Sequence, residues 1–237
     1  MGRPARWGEP SGPRPDCRTL RIRMHSTQVE LAIRAVSTDG LVLAPSTAGI
    51  VLAHHARPAP AMRARQLLQD RGVDSTAIIA VSRPAHLAPL LDRAPSPPTQ
   101  RLMDRHWPGP LVLRLPCRRT VPHTLQPVPG TVDLCMDDSP ALLELLLRSQ
   151  HPLALWPILL GDEPCTTLAD AADRLANTGW DAAVASQAPQ AVARPAHLDL
   201  SRSTPRILRT GDLSADRLAT TLGVDPHTLH GPARNDP

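Results

Sequence analysis

From residue 20 onwards the chain alternates between two hydrophobic periods. "LRIRM" (20–24) alternates apolar and basic positions, which predicts a strand. Ser26 then precedes Val29, Ala32, Ile33 and Val36, an apolar stripe at helical spacing that Gly40 closes. "LVLAP" (41–45) predicts a buried strand, followed by a loop and a helix over about Ala61–Asp70. "TAIIAV" (76–81) predicts another strand, and residues 97–106 predict a helix that enters "WPGP" (107–110). In that corner Pro108 fixes φ, Gly109 is free to take positive φ, and Pro110 withholds a donor at the start of a strand over 111–115. Trp107 is expected to close the helix and cap the core beneath it. "TVDLCM" (131–136) predicts a strand, and Ser139-Pro140 opens a leucine-rich helix. "PLALWPIL" (152–159) predicts a strand, with a helix near 167–177 ending before Gly179. "WDAAVAS" (180–186), "AHLDL" (196–200) and "PRILR" (205–209) predict short strands, and Ser214–Leu222 a last helix. This alternation predicts an α/β (α+β) domain, a twisted mixed β-sheet with flanking helices.

Composition sharpens the picture. The chain has 237 residues, of which 41% are hydrophobic but only 2% aromatic, with no Phe and no Tyr, so its core is aliphatic. All 26 basic residues are Arg, so lysine chemistry is excluded. The formal net charge of +4 permits a polyanionic partner without requiring one. The four cysteines, Cys17, Cys117, Cys135 and Cys165, are far apart and form no CxxC, which argues against zinc. No run of 18 apolar residues and no signal-peptide pattern is present, so a cytoplasmic protein with reduced thiols and no membrane partner is expected. Residues 1–19 are rich in Pro, Gly and Arg and read as a disordered arm. The domain is expected over 20–223, with a tail over 224–237.

Several residues invite functional readings that plainer ones outweigh. His54-His55 lacks the helical spacing of a zinc pair and reads as a solvated loop end. Asp137-Asp138 reads as charge complementing a helix N-terminus rather than as a metal site. Ser46 has no GxSxG elbow around it, so a hydrolase triad is not supported. Trp156, inside an apolar strand, reads as packing. No residue is assigned to a metal.

The segments "LVLAPSTAGIVLA", "RHWPGPLVLRL", "TVDLCMDDSPALLELL", "HPLALWPILLG" and "HLDLSRSTPRILRTG" resemble, in order, those of the YrdC/YciO-type domain family. The resemblance spans about Arg21 to Leu222, and its most specific parts are the WPGP corner and Arg209-x-Gly211. It implies a twisted α/β sheet around a basic concave face. It also implies synthesis of threonylcarbamoyl-adenylate from threonine, bicarbonate and ATP (with Mg) for tRNA modification, or binding of double-stranded RNA. The resemblance places substrate or nucleotide contacts at Ser46, Thr47, Arg71, Asp199 and Arg209. RNA contacts are expected at Arg21, Arg23, Arg118 and Arg119, with Arg3, Arg6, Arg14 and Arg18 of the arm.

The chain departs from the family pattern in one direction. The acid and the Tyr expected after Pro45 are missing from Pro45-Ser46-Thr47-Ala48-Gly49. The family's Lys-x-Arg falls at Gln69-Asp70-Arg71, its strand Arg at Cys135, its Ser-Ala-Asn at Pro157-Ile158-Leu159, and its late Ser-Thr at Pro195-Ala196. Each lost charge-assisted bond to substrate is worth about 1.5–3 kcal/mol. The expectation is therefore a degenerate domain that binds structured RNA, tRNA or a nucleotide, with weak or lost synthase activity. An active synthase with substituted contacts and a protein-binding pseudoenzyme are the alternatives.

Overall fold

The computed structural model describes residues 17–185 and 192–229, and of residues 17–26 the backbone only. In chain order the elements are α1 (Cys17–Ser37), β1 (Val42–Ser46), β2 (Gly49–His55), α2 (Pro58–Asp70), β3 (Ile78–Ala80), α3 (Pro97–His106), β4 (Leu111–Pro116) and β5 (Thr131–Cys135). Then follow α4 (Pro140–Ser149), β6 (Leu153–Pro157), the short hairpin β7 (Leu159–Leu160) and β8 (Glu163–Pro164), α5 (Leu168–Arg174), β9 (Ala182–Ala183), β10 (Ala196–Asp199), β11 (Arg206–Arg209), α6 (Ala215–Leu222) and α7 (Pro226–Leu229). Nine strands form one sheet in the order β11-β10-β4-β5-β3-β6-β2-β1-β9. β1–β9, β10–β4 and β3–β5 pair in parallel and the remaining neighbours antiparallel, so the sheet is mixed, as the pattern predicts.

Successive side chains of a strand point to opposite faces, and this divides the core. On one face Leu43, Leu52, Ile79, Leu113, Leu134 and Trp156 pack under α2, α3, α5 and α6. On the other, Val42, Val51, Val112, Cys135 and Leu155 meet α1 through Val29, Ala32 and Val36, and α4 through Leu142, Leu145 and Leu146. With almost no aromatic volume available, leucines carry the packing.

Two segments differ from the sequence expectation. Residues 20–24 belong to helix α1, not to a strand. No Gly or Pro interrupts residues 18–37, and Arg, Leu and Met are good helix formers. The sheet's edge strands are β9 and β11, and neither pairs with this segment. The stretch read as a loop after "LVLAP" contains β2, buried at all seven positions. Thr47 and Ala48 alone turn the chain from β1 into β2, with Ser46 opposite Gly49. A continuous apolar run carries no alternation by which a buried strand announces itself.

The WPGP corner is a turn between α3 and β4, with a cis Trp107–Pro108 peptide. Trp107 is half-buried rather than sealed in the core; its indole Nε1–H donates to the Leu111 carbonyl at 2.8 Å. Leu229 of α7 is fully buried and Val224 packs on the core, so the packed structure extends past residue 223. The expected arm lies outside the described residues over 1–16, as does the end of the tail over 230–237.

Candidate functional site

The β1–β2 turn closes one end of a small cavity on the face covered by α1 and α4. Ser46 and Thr47 line it, with Val51, Val112 and Leu155 from three strands beneath, and its volume is about 30 Å³. That is room for about one water. The three positions where the resemblance places the family's strand Arg, its first Ser of Ser-Ala-Asn and its late Ser converge here, as Cys135, Pro157 and Pro195. All three now contribute apolar or weakly polar surface.

Asp137 is the one carboxylate on the cavity wall among the described residues, and it is almost fully buried. It accepts hydrogen bonds from the Thr47 backbone N–H at 3.1 Å, the Thr47 hydroxyl at 2.8 Å and the Ser139 N–H at 2.8 Å. Burial raises its pKa above the usual carboxylate value, and those donors pull against that rise. Ser139 in turn donates from its hydroxyl to the Pro45 carbonyl at 2.8 Å. Asp137 thus does sit at the α4 N-terminus, as the sequence suggests, but it also clamps the β1–β2 turn across the sheet. Burial pushes the Cys135 thiol well above its ordinary range, so it stays protonated and is no nucleophile.

The other expected contacts do not gather at this cavity. Arg71, at the end of α2, donates to the Thr178 hydroxyl at 3.0 Å. Asp199, at the end of β10, accepts from the Ser201 N–H at 2.9 Å and hydroxyl at 2.6 Å. Arg209 is exposed on edge strand β11 and reaches the Pro195 carbonyl at 3.3 Å. Arg118 and Arg119 are exposed just after β4, with Arg118 donating to the Ala88 carbonyl at 3.0 Å. Arg21 and Arg23 lie within α1, and Arg3, Arg6 and Arg14 fall outside the described residues. Among the described residues no guanidinium lines the cavity, and the one carboxylate there is committed to three donors. These residues do not fit a magnesium-bound triphosphate.

Two polar clusters escape sequence reading because they join distant strands. Asp133, with no exposed surface, accepts two hydrogen bonds from Arg114, at 2.8 and 2.9 Å, and lies 3.2 Å from the His197 Nε2. Burial penalises that carboxylate, but His197 and Arg114 outweigh the penalty and hold it below its ordinary pKa. Arg114, Asp133 and His197 sit on neighbouring strands β4, β5 and β10, on the same face as Val112 and Cys135. Likewise His54 and His55, read as solvated, are both buried in β2. The alternation of apolar with charged residues in "LVLRL" was the available signal for Arg114; nothing in the sequence marks its partner.

A nine-stranded mixed sheet, with the WPGP corner feeding β4 and a β-hairpin shaping a cavity beside it, defines a domain of the YrdC type. The Sua5/YciO/YrdC domain family, described as "Telomere recombination", matches residues 34–211, and the chain belongs to it. A putative threonylcarbamoyl-AMP synthase of Mycobacterium tuberculosis is 29% identical over 202 residues, covering 84% of this chain and 91% of the relative. The threonylcarbamoyl-AMP synthase of Bacillus subtilis is 25% identical over 210 residues, covering 86% of this chain and 59% of the relative. Among solved structures, the fold resembles P. abyssi Sua5 complexed with L-threonine, with a TM-score of 0.73 and 22% identity over 84% of this chain and 59% of that one. It also resembles E. coli YciO, with a TM-score of 0.69 and 18% identity over 80% of this chain and 92% of that one. The chain thus spans about three fifths of Sua5 and nearly all of YciO.

Proposed function

We propose that this chain is a threonylcarbamoyl-AMP synthase-like domain in which the synthase reaction is lost or reduced to a trace, and that it acts by binding structured RNA through its arginines. The cavity carries the first half of this reading. It holds about 30 Å³ where the family's polar contacts register, walled by Cys135, Pro157 and Pro195. Activation of threonine by ATP needs cations facing the phosphates, and among the described residues none lines that cavity. The second half is supported by the arginine-only basic set and by Arg119, Arg202 and Arg206, which are exposed without an ion-pair partner among the described residues. A guanidinium forks onto phosphate as well as lysine holds it or better, so the absence of Lys is no handicap.

The test is pyrophosphate release from purified protein given ATP, threonine, bicarbonate and magnesium. The expected rate is under about 0.01 s⁻¹, well below the roughly 1–10³ s⁻¹ of ordinary enzymes. Turnover near 1 s⁻¹ would overturn the loss of chemistry. The second reading, an active synthase with substituted contacts, is favoured by the name of the Mycobacterium tuberculosis relative and by the extent of that match. The same assay decides between them.

A further inference from the structure

The two ends of β2 differ in chemistry. Its start, where Gly49 opposes Ser46, borders the Ser46–Asp137 cavity, and its last residue is His55. Six residue steps at about 3.3 Å put that end about 20 Å from the turn. β6 runs antiparallel to β2, so Leu153 at its start pairs with His55, and His151 lies two residues before Leu153. Neither histidine lines the Ser46–Asp137 cavity, and neither stands at a position where the family's contacts register.

His55 is buried, and both of its ring nitrogens are shielded from solvent with no hydrogen-bond partner among the described residues. A neutral imidazole carries one donor and one acceptor, so both are idle here. A buried polar side chain left idle calls for a partner. Beside it stands the His151 ring, with centroids 4.6 Å apart and planes inclined by 53°. His151 is exposed and follows Gln150, which takes φ +58° at the end of α4. An imidazole nitrogen binds a transition metal at about 2.0–2.1 Å, which sets the ring centre about 3.2 Å from the ion. Two such rings at right angles about one ion have centres about 4.5 Å apart, and about 5.2 Å at the tetrahedral angle. The observed 4.6 Å fits neighbouring positions on a single ion.

Metal ligation needs the neutral imidazole. Burial, Arg57 and His151 hold the His55 pKa down to about 4, so its ring is neutral at pH 7. Arg57 repels a cation, but it pairs with Asp39 at 3.6 Å, and that carboxylate acts on His55 in the opposite sense. His86, which follows β3 at the same end of the sheet, has its Nε2 occupied by the Arg83 Nε–H at 2.9 Å. Among the described residues no three His, Cys, Asp or Glu side chains form a metal-holding group. The arrangement is a two-imidazole chelate that leaves the other positions on the ion to water.

We propose that His55 and His151 chelate one divalent transition-metal ion of the nickel, copper or zinc kind, and that this ion ties the α4–β6 connection to the end of β2. Imidazole donors favour those ions over magnesium, which prefers oxygen. The site depends neither on retained synthase chemistry nor on RNA binding.

The experiment is titration of the chelator-stripped full chain at pH 7 with Ni²⁺ and Zn²⁺, and with Mg²⁺ as control, read by calorimetry and by melting temperature. Ni²⁺ and Zn²⁺ are expected to saturate, at least about tenfold more tightly than Mg²⁺, which is about 1.4 kcal/mol. They are also expected to raise the melting temperature, because the folded chain alone assembles the pair. His151→Gln, at an exposed position, is expected to weaken both ions about tenfold or more and to abolish that rise. His227→Gln, at an exposed position of α7, is expected to change neither. With Cu²⁺ bound, electron paramagnetic resonance should show coupling to two nitrogens in the native protein and to one fewer in His151→Gln. Failure of Ni²⁺ and Zn²⁺ to saturate would overturn the proposal. So would Mg²⁺ binding as tight as theirs, a His151→Gln variant of unchanged affinity, or a His227→Gln variant as damaging as His151→Gln. His55→Gln alters a buried residue, so the decision rests on the exposed ligand, and the pyrophosphate assay is blind to every one of these outcomes.

Discussion

His54 has no exposed surface and is held between two partners. Its Nδ1 lies 2.7 Å from the His55 carbonyl and its Nε2 lies 2.9 Å from the Trp156 indole nitrogen. Only one neutral tautomer satisfies both: Nδ1–H donates to the carbonyl and Nε2 accepts from the indole N–H. A second proton would have to sit on Nε2, facing that donor. Burial accordingly lowers the His54 pKa from 6.5 to about 4, and His55 beside it is also lowered to about 4 by burial and by Arg57. A histidine whose folded pKa lies below its unfolded value stabilises fully above the unfolded value. That contribution is lost as the pH falls from 6.5 towards 4. At 1.36 kcal/mol per tenfold change in proton affinity, His54 accounts for about 3 kcal/mol of this loss. Melting temperature against pH should drop steeply over that window in the native protein. His54→Gln should melt lower at pH 7 but fall less between pH 6.5 and 4; parallel curves would remove His54 from the acid response. None of this was legible in the sequence, where the pair reads as solvated because β2 reads as a loop. The packing role of Trp156 was legible, because an apolar run surrounds it. Asp137 was legible by half: its bond to Ser139 is local, whereas its bonds to Thr47 span 90 residues.

At the scale of elements, local chemistry was readable wherever it was punctuated. Ser96 caps α3 by accepting from the Thr99 N–H, Pro97 opens the helix, and α3 spans the predicted residues, 97–106. β4 begins at Leu111, directly after Pro110, as a proline at a strand start implies. The two misread elements lacked punctuation: α1 runs through an uninterrupted polar–apolar stretch, and β2 follows a two-residue turn within one apolar run. The WPGP corner itself makes a prediction. Gly109 has φ +153°, and a Cβ placed on it would stand 2.8 Å from the His106 carbonyl oxygen. The Gly109 N–H also donates to the Met136 carbonyl at 2.9 Å, which ties the corner to the end of β5 and leaves the backbone little room to shift. Gly109→Ala should therefore destabilise the fold by about 1–3 kcal/mol. The urea midpoint should fall with an unchanged denaturant slope. An unchanged midpoint would show that the corner can relax, and would leave Trp107, bonded to the Leu111 carbonyl, as its determinant.

At the scale of the whole molecule, the sequence already carried the fold class, because a mixed sheet with flanking helices follows from alternating periods. It did not carry the face on which each polar group would meet another, because register across nine strands sets that. The charge distribution is the whole-molecule property that bears on function. Edge strand β11 presents Arg206 and Arg209, and Arg118 and Arg119 follow β4, two strands away in the sheet. Arginines on an edge strand also discourage strand-to-strand aggregation, so their presence alone does not argue for RNA. The salt dependence separates the two roles. Double-stranded RNA is read through phosphates and 2′-hydroxyls more than through base edges, so shape and charge suffice for binding. If these arginines neutralise phosphates, log affinity for a 20-base-pair RNA duplex should fall linearly with log salt, with a slope that counts them. Arg206→Gln with Arg209→Gln should make that slope shallower by about one to two. Removal of residues 1–16 takes away Arg3, Arg6 and Arg14 and should lower the slope further. A slope that neither change alters would mean that these arginines touch no phosphate and serve only to protect the sheet edge. An absence of binding at low salt would discard RNA and leave a protein partner as the reading to pursue.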